Sequence, residues 1–360
     1  MDVTLKETVE LLPTFFDAGI TVELQSSPGL GKSDMVEQLL KKLSDRDGFE
    51  WGYAECFLAT QSPPDLLGYM MPQDKTIDGE PLRVSTWTLP IWMQTKNDKK
   101  PLAAYRRGIL FLDEYGQGEA DVKRASAQLL LKGELGPWKL PEGWVVVAAS
   151  NRAADRSGVT KSFDFVINRR AELHIVPDVD AWVEWANTAG VSPTTITFAR
   201  KNPHIVFDGK IPEKQGPWCT PRSLVMADKV IQSMSSLGDL SENTLAMKAV
   251  ISLIGEAAAQ QYFVFLKLET EVPEVSDIVA NPDKVKVPDK IDVQMLTAYH
   301  LAHMVKLDTL APISKYMERF DAEFGVTFLK AAVERDKTLA KSPVFLDWCK
   351  KNSALMASVR

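Results

Sequence analysis

The apolar, β-branched run Ile20, Thr21, Val22, Glu23, Leu24 passes into the loop Gln25-Ser26-Ser27-Pro28-Gly29-Leu30-Gly31-Lys32-Ser33-Asp34. Met35, Val36, Leu39, Leu40 and Leu43 then recur at intervals of three and four. The run predicts a strand, and the recurrence predicts a helix from near Ser33 to about Leu43. Strand, glycine loop and helix in that order leave few folds open, because the helix must pack back on the sheet its strand belongs to. The loop also points several backbone N–H groups into one concavity at the positive end of a helix, which suits a phosphate chain. Within the cradle Ser27, Pro28, Gly29, Leu30, Gly31, Lys32, Ser33, Asp34, the Lys32 amine is expected at the β- and γ-phosphates of a nucleotide and the Ser33 hydroxyl at magnesium. The usual pattern has glycine six positions before the lysine, where this chain has Ser26. Serine there predicts a strained backbone site and altered affinity rather than loss. A dinucleotide fingerprint is excluded, since Asp34 stands where its third small residue is needed.

Four further strands are predicted. Trp51 to Leu58 is followed by a loop-rich insertion broken by Pro63, Pro64, Gly68 and Pro72. Gly108 to Leu112 is almost wholly apolar, as buried parallel strands are, and delivers Asp113 and Glu114 to the sheet edge where ligands bind. In such a pair Asp113 would hold magnesium, directly or through water, while Glu114 would orient and polarise the attacking water. Trp144 to Ser150 repeats the apolar pattern and stops at Asn151, and Ala171 to Val176 is a weaker fifth strand. With a helix over residues 1–19 carrying Val9, Leu12, Phe15 and Phe16, the expected fold is a doubly wound parallel α/β sheet. After Pro177 helical patterns take over, and the polar, proline-spaced stretch Glu269 to Lys290 reads as a linker before a last helical segment to Arg360.

At VVVAASNRAADRSGV and INRRAELHIVPDVDAWVEWA the chain resembles the AAA+ ATPases of the MoxR type, over residues 1 to about 265. The resemblance implies a P-loop domain at 1–178, a helical lid at 179–268, and a linker with a helical C-terminal extension at 269–360. It also implies that Asn151 senses the γ-phosphate, and that an arginine finger just before the fifth strand serves the neighbouring subunit's nucleotide. That finger matches Arg169, with Arg170 as the alternative because it replaces the phenylalanine that usually follows. WCTPRSL, residues 218–224, is similar to the second sensor, with Arg222 in its place. PPDLLGYMMP resembles the helix-2 insert, and LKGELGPWKLPEGW the pre-sensor hairpin. Family likeness further implies ATP and Mg2+ as cofactors, a homo-oligomeric ring, usually a hexamer, and a protein client, commonly one with a von Willebrand factor A-type domain.

The 360 residues carry 42 basic and 48 acidic side chains, a net charge of −6, so the chain as a whole repels polyanions. That disfavours a nucleic-acid motor or loader on the same ATPase core, the first alternative. The second is a nucleotide-gated scaffold that hydrolyses little, hinted at only by Ser26. The run Lys96, Lys99, Lys100, Arg106, Arg107 reads as a solvated loop rather than a phosphate-backbone contact. His300 and His303 lack a third ligand for a metal. Three scattered cysteines, an N-terminus without a secretory pattern and no run of the roughly 20 apolar residues that span a bilayer place the chain in the cytoplasm by expectation.

Overall fold

The computed structural model describes residues 1–77, 79–152 and 164–351. They form two compact units, Met1–Pro177 and the part that begins at Asp178.

In the first unit β1 (Asp2–Val3) leads to α1 (Leu5–Asp17), which is started by a reciprocal cap. The Glu7 N–H donates to Thr4 Oγ1 at 3.2 Å, and the Thr4 N–H donates to Glu7 Oε2 at 2.8 Å. Next come β2 (Val22–Ser26), α2 (Lys32–Asp47), β3 (Gly52–Phe57), α3 (Pro63–Leu67), β4 (Met70–Ile77), β5 (Glu80–Trp87) and β6 (Gly108–Asp113). Then follow α4 (Ala120–Lys132), β7 (Glu134–Leu135), β8 (Trp138–Lys139), β9 (Trp144–Asn151), α5 (Asp164–Ile167) and β10 (Ala171–Ile175). Six strands make one parallel sheet in the order β1-β10-β2-β9-β6-β3. The five predicted strands are all in it; β1, too short to leave a pattern, adds the edge.

The apolar runs of β6 and β9 serve two cores at once, because alternate residues of a strand face opposite ways. Ile109, Phe111, Val147 and Ala149 join the cluster built on Leu12 and Phe16 of α1 and Met35, Val36 and Leu39 of α2. Leu110, Leu112, Val146 and Ala148 join the opposite cluster with Leu129 and Leu130 of α4. Each fully buried side chain contributes about 1.5–3 kcal/mol, so β6 is a rigid base for Asp113 from both faces. Gly52 and Gly108 begin two of these strands without side chains to admit the Trp144 ring, which a Cβ on Gly108 would approach to 2.6 Å.

The insertion differs from expectation. Its residues 70–77 and 80–87 form an antiparallel ribbon, β4 paired with β5, rather than loop. Pro72 misleads because a two-stranded ribbon leaves each strand one unpaired side, where a proline removes no ladder bond. The pre-sensor segment is a small hairpin of β7 and β8.

The second unit is helical: α6 (Val179–Ala189), α7 (Pro193–Lys201), α8 (Pro203–Val206), α9 (Pro221–Ser233), α10 (Thr244–Ile254), α11 (Glu256–Glu269), α12 (Val275–Ala280), α13 (Ile291–Met304), α14 (Leu310–Met317), α15 (Ala322–Arg335) and α16 (Pro343–Lys351). One core joins side chains of α7, α9, α10 and α11; another joins α6, α13, α14 and α15. The stretch read as a linker contains α12, whose Ile278 is fully buried with Val275 and Val279 packed beside it. Its apolar residues fall at helical spacing, and that outweighs the flanking prolines. Residues 153–159 of the quoted sensor stretch and 352–360 of the last segment lie outside the described residues.

Candidate functional site

The strand order decides the site. β9 lies between β2 and β6, and its register sets Asn151 opposite Ser26. The phosphate-loop strand, the asparagine strand and the acidic strand therefore end side by side at one carboxyl edge, where open α/β sheets bind ligands.

The loop reaches α2 through Gly29 at φ 80° and Gly31 at φ 84°, both in the left-handed region that glycine adopts without penalty. Ser26 is not among the positive-φ residues, so the strain expected there is absent; it is the last residue of β2 and extended. The turn begins further on, at the glycines. Ser26 acts instead through its hydroxyl, which donates to the Ser27 carbonyl at 2.9 Å and accepts from Lys32 Nζ at 2.8 Å. Lys32 Nζ also donates to Asn151 Oδ1 at 3.3 Å. The Ser33 hydroxyl, one residue on, donates to Asp113 Oδ2 at 3.3 Å. Four predicted residues from three strand ends thus meet, and the loop residues Ser27, Pro28, Leu30 and Asp34 surround them in sequence.

Glu114 carries an unusual backbone. Its φ of 52° and ψ of 36° lie in the left-handed region, which costs a non-glycine residue about 1 kcal/mol or more. Two features hold it there: the Glu114 N–H donates to Asp113 Oδ1 at 2.9 Å, and Tyr115, the next residue, is completely buried. The acid is therefore turned off the strand axis beside Asp113.

The two candidate finger arginines part company. Arg169 is exposed after α5, whereas the Arg170 side chain is 1% exposed and ion-paired with Glu23 of β2. The Arg170 guanidinium is thus engaged within its own chain, while Arg169 is open to solvent. Arg222 is exposed in the first turn of α9, in the second unit; there Thr220 Oγ1 accepts from the Ser223 N–H at 3.1 Å. Sequence reasoning missed Arg152, whose guanidinium donates to the Ser27 hydroxyl of the loop. Its place directly after Asn151 was the available signal. Three of the five basic residues of the run are ion-paired locally: Lys96 pairs with Glu55 at 3.0 Å, Lys100 with Asp98 at 2.8 Å, and Arg107 with Asp17 at 3.0 Å and Asp47 at 3.3 Å. Among the described residues no helix is long and apolar enough to cross a membrane.

A glycine loop on a central parallel strand, with the acidic strand one place beyond an intervening asparagine strand, is a doubly wound α/β fold of the P-loop kind. No protein-family model matches the chain, and no curated protein does. Solved structures to which it is similar include a mutant of Thermotoga maritima RuvB, at 14% identity over 87% of this chain and 86% of that one, with a TM-score of 0.39. NtrX from Brucella abortus in complex with ADP is 14% identical over 93% of this chain and 67% of that one, TM-score 0.40. A candidate ATPase from Cytophaga hutchinsonii is 12% identical over 97% and 88%, TM-score 0.35.

Proposed function

We propose that this chain is a Mg2+-dependent ATPase of the AAA+ class and MoxR type. In this reading it works as a homo-oligomeric ring, hexameric as such ATPases usually are, and couples ATP hydrolysis to remodelling or activating a protein client in the cytoplasm. The observation that carries the reading is the meeting of Lys32, Ser33, Asp113 and Asn151 at three adjacent strand ends. A lysine amine, a hydroxyl, a carboxylate and an amide converging beside a left-handed glycine loop match the needs of a triphosphate.

The residues fit magnesium. Ser33 Oγ and Asp113 Oδ2 are both hard oxygen donors, 3.3 Å apart, the donor type magnesium takes in preference to nitrogen or sulfur. Held there, the ion would neutralise charge on the β- and γ-oxygens. Lys32 and the backbone N–H groups of Ser27 and residues 29–34 bind and orient the phosphates, and Asn151 contacts the γ-phosphate. Glu114 orients the attacking water and takes its proton. Arg169 is offered to the adjoining subunit's nucleotide, where a guanidinium stabilises the charge that develops in the transition state. Arg222 holds the place of the second sensor within the lid at 179–268, and 269–360 forms the C-terminal extension. A client with a von Willebrand factor A-type domain follows from the family likeness.

Glu114→Gln keeps the shape and removes the base, so nucleotide binding is expected to stay intact while turnover falls about 100-fold or more. An undiminished rate refutes the assignment. Held in ATP, the same variant is expected to retain its client during affinity capture. Retention of DNA in place of protein transfers the ATPase core to a nucleic-acid motor or loader.

A further inference from the structure

The charged groups left unused by this chemistry gather beneath the phosphate-loop strand. Glu23 of β2 is 2% exposed and accepts a hydrogen bond from Ser150 of β9. Arg170, which leads into β10, is ion-paired with Glu23 and lies 3.7 Å from the Glu172 carboxylate. Its guanidinium carbon is 5.6 Å from the centre of the Tyr115 ring, and Lys123 Nζ of α4 is 5.5 Å from the same ring. Tyr115 directly follows Glu114, and Arg170 directly follows Arg169. One enclosed guanidinium therefore touches the turn that aims the proposed base and adjoins the proposed finger.

Stability alone does not favour this arrangement. Among the described residues Arg170 Nε and Nη1 are buried without a hydrogen-bond partner. Buried ion pairs with unfilled positions are often matched or exceeded in stability by apolar side chains of similar volume. Local compromises of this kind are expected where geometry serves function.

We propose that Arg170 is a positioning residue. Anchored by Glu23, it fixes Arg169 relative to the Glu114 turn, so that a subunit's own site and the guanidinium it offers its neighbour are held by one buried pair. This rests on the reading of a ring ATPase whose finger acts in trans.

The test uses mixed assemblies of full-length chains. Arg169→Ala subunits have an intact site but no finger, and Lys32→Ala subunits have a finger but a crippled site. Mixing the two is expected to raise turnover several-fold over either alone. Mixing Arg169→Ala with the double variant Lys32→Ala, Arg170→Met is expected to recover about 10-fold less, since a misplacement near 1 Å can cost that much or more. Equal recovery with both donors overturns the positioning role and leaves the finger in trans standing. No recovery with the Lys32→Ala donor overturns the finger in trans and this role with it. Melting of each donor before mixing checks folding; if the Arg170→Met donor does not fold, a Lys32→Ala, Glu23→Gln donor, with the guanidinium kept and its anchor neutralised, is read in the same way.

Discussion

Two buried carboxylates, one in each unit, are treated in opposite ways. Asp228 of α9 is 1% exposed and fully engaged: it accepts from the Ser192 N–H at 3.2 Å, from the Thr195 hydroxyl at 2.7 Å and from Gln232 Nε2 at 2.7 Å, and also from the Ser192 hydroxyl. Ser192 caps the start of α7, where a negative charge is favoured by the helix dipole. Glu23 is as buried, but its two oxygens face only the Ser150 hydroxyl and the Arg170 guanidinium, whose Nε and Nη1 lack a hydrogen-bond partner among the described residues. A carboxylate whose lone pairs are filled by fixed donors ties helices together, while one that faces an incompletely paired guanidinium leaves donors unmet beneath the phosphate loop.

Asp228→Ala strands the donors of Ser192, Thr195 and Gln232, and a loss of about 2–4 kcal/mol in unfolding free energy is expected; denaturant titration showing under 1 kcal/mol would mean those bonds hold little. Lys123 supplies the next largest effect. Burial lowers its pKa from 10.5 to about 8, against the attraction of Glu23. Between those values the unfolded chain binds the extra proton, so the native state gains stability as pH rises from 8 to 10.5, and below pH 8 the full burial penalty applies. Lys123→Met removes that dependence. Its stability advantage over wild type is expected to shrink by about 3 kcal/mol across the window, at 1.36 kcal/mol per pKa unit, and a constant difference would show that Lys123 titrates normally. The smallest effect is at Tyr115, whose hydroxyl makes no hydrogen bond among the described residues. Tyr115→Phe is expected to change stability by less than about 0.5 kcal/mol; a larger loss in calorimetry would reveal a bond to that hydroxyl.

Much of the sheet was legible because its strands are buried on both faces and read as apolar runs: Gly108 to Leu112 and Trp144 to Ser150 needed no pattern beyond that. The ribbon of β4 and β5 was hidden, since its exposed strands, with prolines at 72 and 81, carry no such run. The helix at Val275–Ala280 was obscured by prolines on either side. Within the site, Lys32, Ser33, Asp113, Glu114 and Asn151 were each marked by a strand end or a glycine loop. Arg152 was marked only by its place directly after Asn151, and Glu23 by nothing local, because its partner lies more than 100 residues away.

By itself the sequence determined which short segments bear polar residues at the ends of apolar strands, because alternation, glycine freedom and helix periodicity act over a few residues. Only the tertiary structure decided that β9 lies between β2 and β6, that Ser26 is an unstrained partner of Lys32, and that Arg170 is enclosed while Arg169 is not. Those outcomes follow from strand order and burial, which depend on how distant segments pack and are written in no single stretch of chain.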